Sequence, residues 1–198
     1  MSRVFRVFLL DDDAVVRHAL RELVHCDAEL EVVGEAASVN EALAQIPPCH
    51  PDVALLDDRL PDGNGLDLCR ELRSRMPGLP CIIFTSFGSR DEMLDVIQAG
   101  AIGCVVRNAK GFEVLAAIKS AGAGEFLFDT GVATAWLANR AREDFLDAVS
   151  VSTEQEGELL RLLMAGNSGS QIVTRMRLDE KAFRACLWAL ITKAQAAS

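Results

Sequence analysis

The chain has 198 residues, enough for one ordinary domain and a small second one. It is 50% hydrophobic and 25% charged, which excludes wholesale disorder, and no apolar run approaches the roughly 18–20 residues of a membrane span. Of the net charge of −9, residues 1–125 hold 12 basic against 20 acidic side chains and residues 151–198 hold 6 against 5, so only the tail is not opposed to nucleic acid on charge grounds.

The first ten residues carry Arg3 and Arg6 and run into three aspartates without a small-residue cleavage site. They read as a strand retained on the protein rather than a leader. The six cysteines (Cys26, Cys49, Cys69, Cys81, Cys104, Cys186) form no C-x-x-C pair and have no histidine at ligand spacing. Reduced thiols in a cytoplasmic protein follow from that usage.

Strands are predicted at residues 4–10, 31–34, 53–56, 81–85 and 103–106. All but the second are nearly continuous apolar runs, the pattern of strands covered on both faces. Between them, residues 14–25 place Val16, Ala19, Leu20, Leu23 and Val24 on one helix face. Ser38 is a candidate N-cap for a helix through residues 41–46, with Pro47-Pro48 as its stop. Residues 65–76, 91–99 and 112–120 supply three more helices. Five βα units in series predict an α/β fold, a doubly wound parallel sheet of five strands with helices on both faces.

Residues 126–150 read as a partly helical linker, with Thr130 as a candidate cap, Trp136 and Leu137 as anchors and residues 144–152 as a hinge. Helical patterns follow at residues 154–165, 169–176 and 179–194, the last with Phe183, Leu187, Leu190 and Ile191 in one stripe. Short turns between them allow a small all-α helix-turn-helix domain over residues 151–198.

The chemistry gathers at the strand ends. Asp11, Asp12 and Asp13 follow the first strand, and Asp57 and Asp58 the third. Clustered carboxylates repel one another unless a cation joins them, which predicts a Mg2+ site among these strand-end aspartates. A carboxylate beside such a metal can attack a phosphoryl group. Thr85 ends the fourth strand and Arg107 the fifth, adding a hydroxyl and a cation at the same rim. Asp57-Asp58-Arg59 lacks the second aspartate two residues on that aspartyl phosphatases carry, so turnover catalysis is not expected.

Three runs carry a resemblance: Val7-Phe8-Leu9-Leu10-Asp11-Asp12, Leu55-Leu56-Asp57-Asp58-Arg59-Leu60-Pro61-Asp62-Gly63-Asn64-Gly65, and Phe84-Thr85-Ser86. They resemble the receivers of NarL/FixJ-type two-component response regulators, in particular the actinobacterial DevR/DosR dormancy regulators. Residues 30–38 and 93–103 strengthen that match. The resemblance implies a receiver domain over residues 1–125, with Asp57 accepting phosphate from a sensor histidine kinase. It further implies that Asp11 and Asp12 help bind Mg2+ alongside Asp57 and that Thr85 senses the phosphoryl group.

The tail resembles a LuxR-type DNA-binding head, with Thr153-Glu154-Gln155-Glu156 opening its scaffold helix and Gln171-Ile172 in the next. The resemblance implies transcriptional control by a homo- or heterodimer that contacts DNA through Lys181 and Arg184.

Several positions depart from these patterns. Arg107 stands where the family has lysine; a planar fork grips carboxylates with two bonds, which predicts pairing with Asp57 in the resting state. Cys104 replaces an aromatic that swings inward on activation. In the recognition helix Ala182 and Ala185 replace a hydroxyl and an amide, and losing the amide forfeits on the order of 1–3 kcal/mol of base discrimination. Val173 replaces a small alanine. The chain ends at Ser198, where the family continues into a fourth helix, so the head is expected to be truncated and degenerate. The alternative to the transcriptional reading is a phosphate-independent receiver acting as a protein-interaction module with impaired DNA binding.

Overall fold

The computed structural model describes residues 3–86, 89–141 and 153–196. The contacts divide the chain into two compact units that meet in sequence at Leu127 and Phe128.

The first unit is built on five parallel strands, β1 (Phe5–Leu10), β2 (Leu30–Ala36), β3 (Val53–Asp57), β6 (Cys81–Thr85) and β7 (Gly103–Val106), in the order β2-β1-β3-β6-β7. Helices α1 (Ala14–His25), α2 (Val39–Cys49), α3 (Gly65–Arg75), α4 (Arg90–Gln98) and α5 (Gly111–Gly122) alternate with them. Val7 to Leu10, all of β3 and all of β6 are buried, because helices cover both faces of the sheet. Leu10 pairs with Leu56, Asp57 with Phe84 and Thr85 with Val106. That register brings the carboxyl ends of β1, β3, β6 and β7 to one edge, at the point where strand order reverses around β1.

Asp13 caps α1, its carboxylate accepting from the backbone N–H of Val15 at 2.7 Å. Leu20 and Val24 on that helix are buried against the sheet.

Helix α2 departs from the sequence expectation. It runs through Pro47 and Pro48 to Cys49 and closes at His50, which takes a left-handed φ of 44°. Each proline removes one backbone donor, but both lie in the last turn, where few further hydrogen bonds are forfeited. Ser38 caps this helix as expected, accepting from Glu41 N at 3.3 Å. A two-stranded hairpin of β4 (Arg59–Leu60) and β5 (Gly63–Asn64) adds a second cap: Asp62 at its tip accepts from the N–H groups of Val39 and Asn40 at 2.8 and 3.0 Å. The chain then turns tightly back over β3. A Cβ at Gly65 would lie 2.1 Å from the Asp57 carbonyl oxygen, so only glycine fits there.

The second unit contains α6 (Thr130–Ala141), α7 (Glu154–Met164), α8 (Gly169–Met176) and α9 (Glu180–Ala196). Helices α7 and α8 open with capping boxes, Thr153 with Glu156 and Ser168 with Gln171. Helix α8 stops at Arg177 in the left-handed region, and Asp179 caps α9 through Ala182 N at 2.7 Å. Phe183, Leu187, Leu190 and Ile191 are buried with Leu159, Leu163 and Ile172.

Two expectations for the connecting segment change. Residues 130–141 pack into the helical unit, because Ala133, Trp136 and Leu137 are apolar enough to bury there. They pack against α9. Asp129 rather than Thr130 caps α6, its carboxylate accepting from Gly131 N at 2.8 Å, since a short ionised acceptor reaches the first turn directly. Residues 144–152, expected as a hinge, lie outside the described residues. Among the described residues no helix is long and apolar enough to cross a membrane.

Candidate functional site: an acid pocket at the carboxyl edge of the sheet

Asp11 follows β1 directly and Asp57 ends β3; both carboxylates are buried. Asp12 is exposed at the rim. One carboxylate oxygen from each of Asp11, Asp12 and Asp57 lies within 4.8 Å of the other two. Three hard oxygen donors at that spacing suit a small divalent cation, and Asp11 Oδ2 is buried without a hydrogen-bond donor. Asp11 is held in place by its neighbours: Oδ1 accepts from Asp13 N at 2.9 Å, and its carbonyl accepts from Arg17 at 2.6 Å.

Arg107, just beyond β7, enters this pocket from the opposite side. Its Nη2 makes ion pairs with Asp57 Oδ1 and, at 3.0 Å, with Asp11 Oδ2. The guanidinium also lies 5.0 Å from the centroid of the Phe84 ring, a cation–π contact. The sequence predicts the pairing with Asp57 but gives no sign of the one with Asp11. An aromatic residue just before Thr85 was the available clue to the ring contact.

The electrostatics follow from burial. Desolvation raises the Asp57 carboxyl to about 6, opposed by the Arg107 hydrogen bond and assisted by the charge of Asp11. Burial likewise raises Asp11, against the Asp13 N–H and Arg107. For Arg107, burial disfavours the cation, but the Asp57 and Asp11 carboxylates outweigh it and raise its pKa.

Thr85 ends β6 as expected, but its hydroxyl donates to Asp58 Oδ2 at 2.8 Å. Asp57 Oδ1 accepts from Arg59 N at 3.4 Å. Beside Thr85 and Asp58 lies a cavity of about 240 Å³, whose walls include Ile83, Met93, Val96 and Cys104. Burial raises the Cys104 thiol.

The second unit places Lys181, Ala182 and Ala185 on the exposed surface of α9. Arg184 is committed within the unit. Its Nη1 donates to the Phe128 carbonyl at 3.1 Å, and its Nε and Nη2 reach Glu180 at 3.2 and 3.1 Å. On the neighbouring face Lys193 pairs with the buried Glu156 at 2.6 Å, joining α9 to the capping box of α7.

Residues 7–119 match the model of the response regulator receiver domain. The chain is a response regulator of the NarL/LuxR type. It is 50% identical to the DNA-binding transcriptional activator DevR/DosR of Mycobacterium tuberculosis over 189 residues, 95% of this chain and 87% of that one. It is 27% identical to the transcriptional regulatory protein LiaR of Bacillus subtilis over 192 residues, covering 96% and 90% of the two chains. Among solved structures, the receiver domain of the Mycobacterium tuberculosis response regulator NarL aligns at a TM-score of 0.59 and 26% identity, covering 62% of this chain and 98% of that one. The RcsB response regulator of Salmonella typhimurium covers 98% of this chain and 93% of its own at a TM-score of 0.60. At 18% identity that match speaks for fold alone. The regulator's acid pocket lies wholly within the residues matched to the receiver model.

Proposed function

We propose that this response regulator is a cytoplasmic phosphoryl-accepting switch that controls transcription. The observation that carries the reading is the placement of Asp57. It is a buried carboxylate at the end of a central strand, beside Asp11, Asp12, Thr85 and a guanidinium at one rim. That full assembly favours phosphate acceptance over a phosphate-independent interaction module.

In this reading an Asp57 oxygen attacks the phosphorus of a sensor kinase's phosphohistidine. The P–O bond to Asp57 forms as the P–N bond breaks, and the electron pair leaves with the imidazole. Asp11, Asp12 and Asp57 would hold Mg2+, which when bound would neutralise charge developing on the phosphoryl oxygens. Arg107 then has a phosphoryl oxygen as an alternative partner to Asp57. Thr85 reaches the same group once its hydroxyl turns away from Asp58. The protein is thus a stoichiometric acceptor and not a turnover enzyme.

Val15 is 76% exposed and Phe112 is 66% exposed. They stand in the first turns of α1 and α5, at the same edge as the pocket, and offer apolar contact to a docking kinase. The output runs through the helical unit as a homo- or heterodimer that contacts DNA through Lys181 and through Arg184 once it leaves Glu180. Its charge near neutrality implies weak, salt-sensitive binding. We propose the functional division as a receiver over residues 1–125 and a helix-turn-helix head over 151–198, with helix α6 of the segment 126–150 serving as part of the head's core.

Intact-mass spectrometry after incubation with acetyl phosphate and Mg2+ tests the acceptor role. One phosphoryl adduct on the native protein and none on Asp57→Ala is expected. No adduct on the native protein overturns it.

A further inference from the structure

The guanidinium of Arg107 and a divalent cation have claims on the same oxygens. Asp11 and Asp57 are two of the three carboxylates clustered within 4.8 Å, and both are ion-paired to Arg107 Nη2. The Asp11 oxygen in that pair, Oδ2, is buried and has no hydrogen-bond donor, so the guanidinium is its main electrostatic support. Phe84 holds the guanidinium from one face, and Arg107 N donates to the Thr85 carbonyl at 2.7 Å, which fixes the backbone from which the side chain reaches in.

We propose that Arg107 is a built-in counter-ion that competes with Mg2+ for Asp11 and Asp57, and so sets the divalent-cation affinity of the pocket. The inference rests on the reading of the three carboxylates as the cation site.

The physical case has two parts. Two buried carboxylates and an exposed third repel one another, so the pocket needs positive charge. Arg107 supplies that charge from within the chain. A divalent ion that takes the same oxygens must first separate two ion pairs in a desolvated site, where pairs are strongest. Side-chain type then matters. One guanidinium nitrogen, Nη2, bridges both carboxylates while the Phe84 ring holds the planar group at its face, whereas an ammonium group is a compact point charge on a flexible stem and withdraws more readily. Asp12, exposed and outside both ion pairs, is the carboxylate a metal ion can engage first. The consequence is a receiver in which Mg2+ binding and release of Arg107 from Asp11 and Asp57 are one event.

Isothermal titration of Mg2+ into the native full-length protein, Arg107→Gln and Arg107→Lys tests this without any phosphate donor. Arg107→Gln is expected to bind Mg2+ at least tenfold tighter than the native protein, with Arg107→Lys between them. In parallel, the Nε–Hε NMR signal of Arg107 in the native protein should shift in step with Mg2+ saturation. Equal affinity of native and Gln proteins overturns the proposal. So does an Arg107 signal that stays fixed through saturation, a result that stands even if the Gln variant fails to fold. Absence of Mg2+ binding in all three proteins would instead overturn the cation-site reading beneath it.

Discussion

The hydroxyl of Thr85 donates to Asp58 at 2.8 Å, one residue away from the carboxylate proposed to receive phosphate. In the proposed switch, phosphorylation would change the partner of this buried hydroxyl. Thr85→Val keeps the shape and removes the donor. Loss of the hydrogen bond is expected to destabilise the native fold by about 1 kcal/mol in a urea titration. Phosphoryl uptake at Asp57 should persist while the structural response to it, read by amide NMR shifts in α4, disappears.

Asp62 links the β4–β5 hairpin to the first turn of α2. The Asn40 and Val39 backbone N–H groups hold its carboxyl below the ordinary range. A carboxylate with a depressed folded pKa contributes stability that is present above its unfolded value, about 3.9. That contribution is lost as pH falls through the folded value. Asp62→Ala should accordingly be less stable than the native protein at neutral pH. The gap should close as both are titrated below about pH 4, followed by urea melts across the range.

Leu137 is fully buried on α6, within the helical unit. Leu137→Ala should cost about 2–5 kcal/mol through lost packing and the cavity left behind. The loss belongs to the helical unit, so hydrogen exchange should quicken in α9 while amides of β1 and β3 keep their protection. Uniform loosening of both units would argue against α6 as part of that core.

Helix α9 carries the two expected DNA contacts. Lys181→Ala, at an exposed position, should weaken DNA binding alike for all sequences and lower the salt slope by about 1. Arg184→Ala should do the same and also lower the melting temperature, because the Phe128 carbonyl and Glu180 lose their donor. Fluorescence anisotropy over a range of salt, paired with thermal melts, separates the two effects.

The sheet is legible in the sequence because strands covered on both faces leave near-continuous apolar runs. The pocket is legible because its acids sit at the ends of those runs. Features formed between distant segments are less so. Asp62 caps a helix 22 and 23 residues earlier in the chain, and no local pattern marks that pairing. Pro47 and Pro48 read locally as a stop, yet the helix continues for one more turn. The residues of α6 carry an apolar pattern that identifies a helix but not the unit it packs into. Arg107 is visible as a departure at a strand end, and its pairing with Asp57 follows from guanidinium chemistry. Its second hold on Asp11 depends on the register that brings β1 alongside β3.

The most direct test of the account is borohydride trapping after exposure to acetyl phosphate and Mg2+, followed by peptide mass spectrometry. Reduction converts an aspartyl phosphate to homoserine and so marks the residue that carried it. Homoserine is expected at position 57 alone. Homoserine at Asp11, Asp12 or Asp58 instead, or none anywhere, would contradict it.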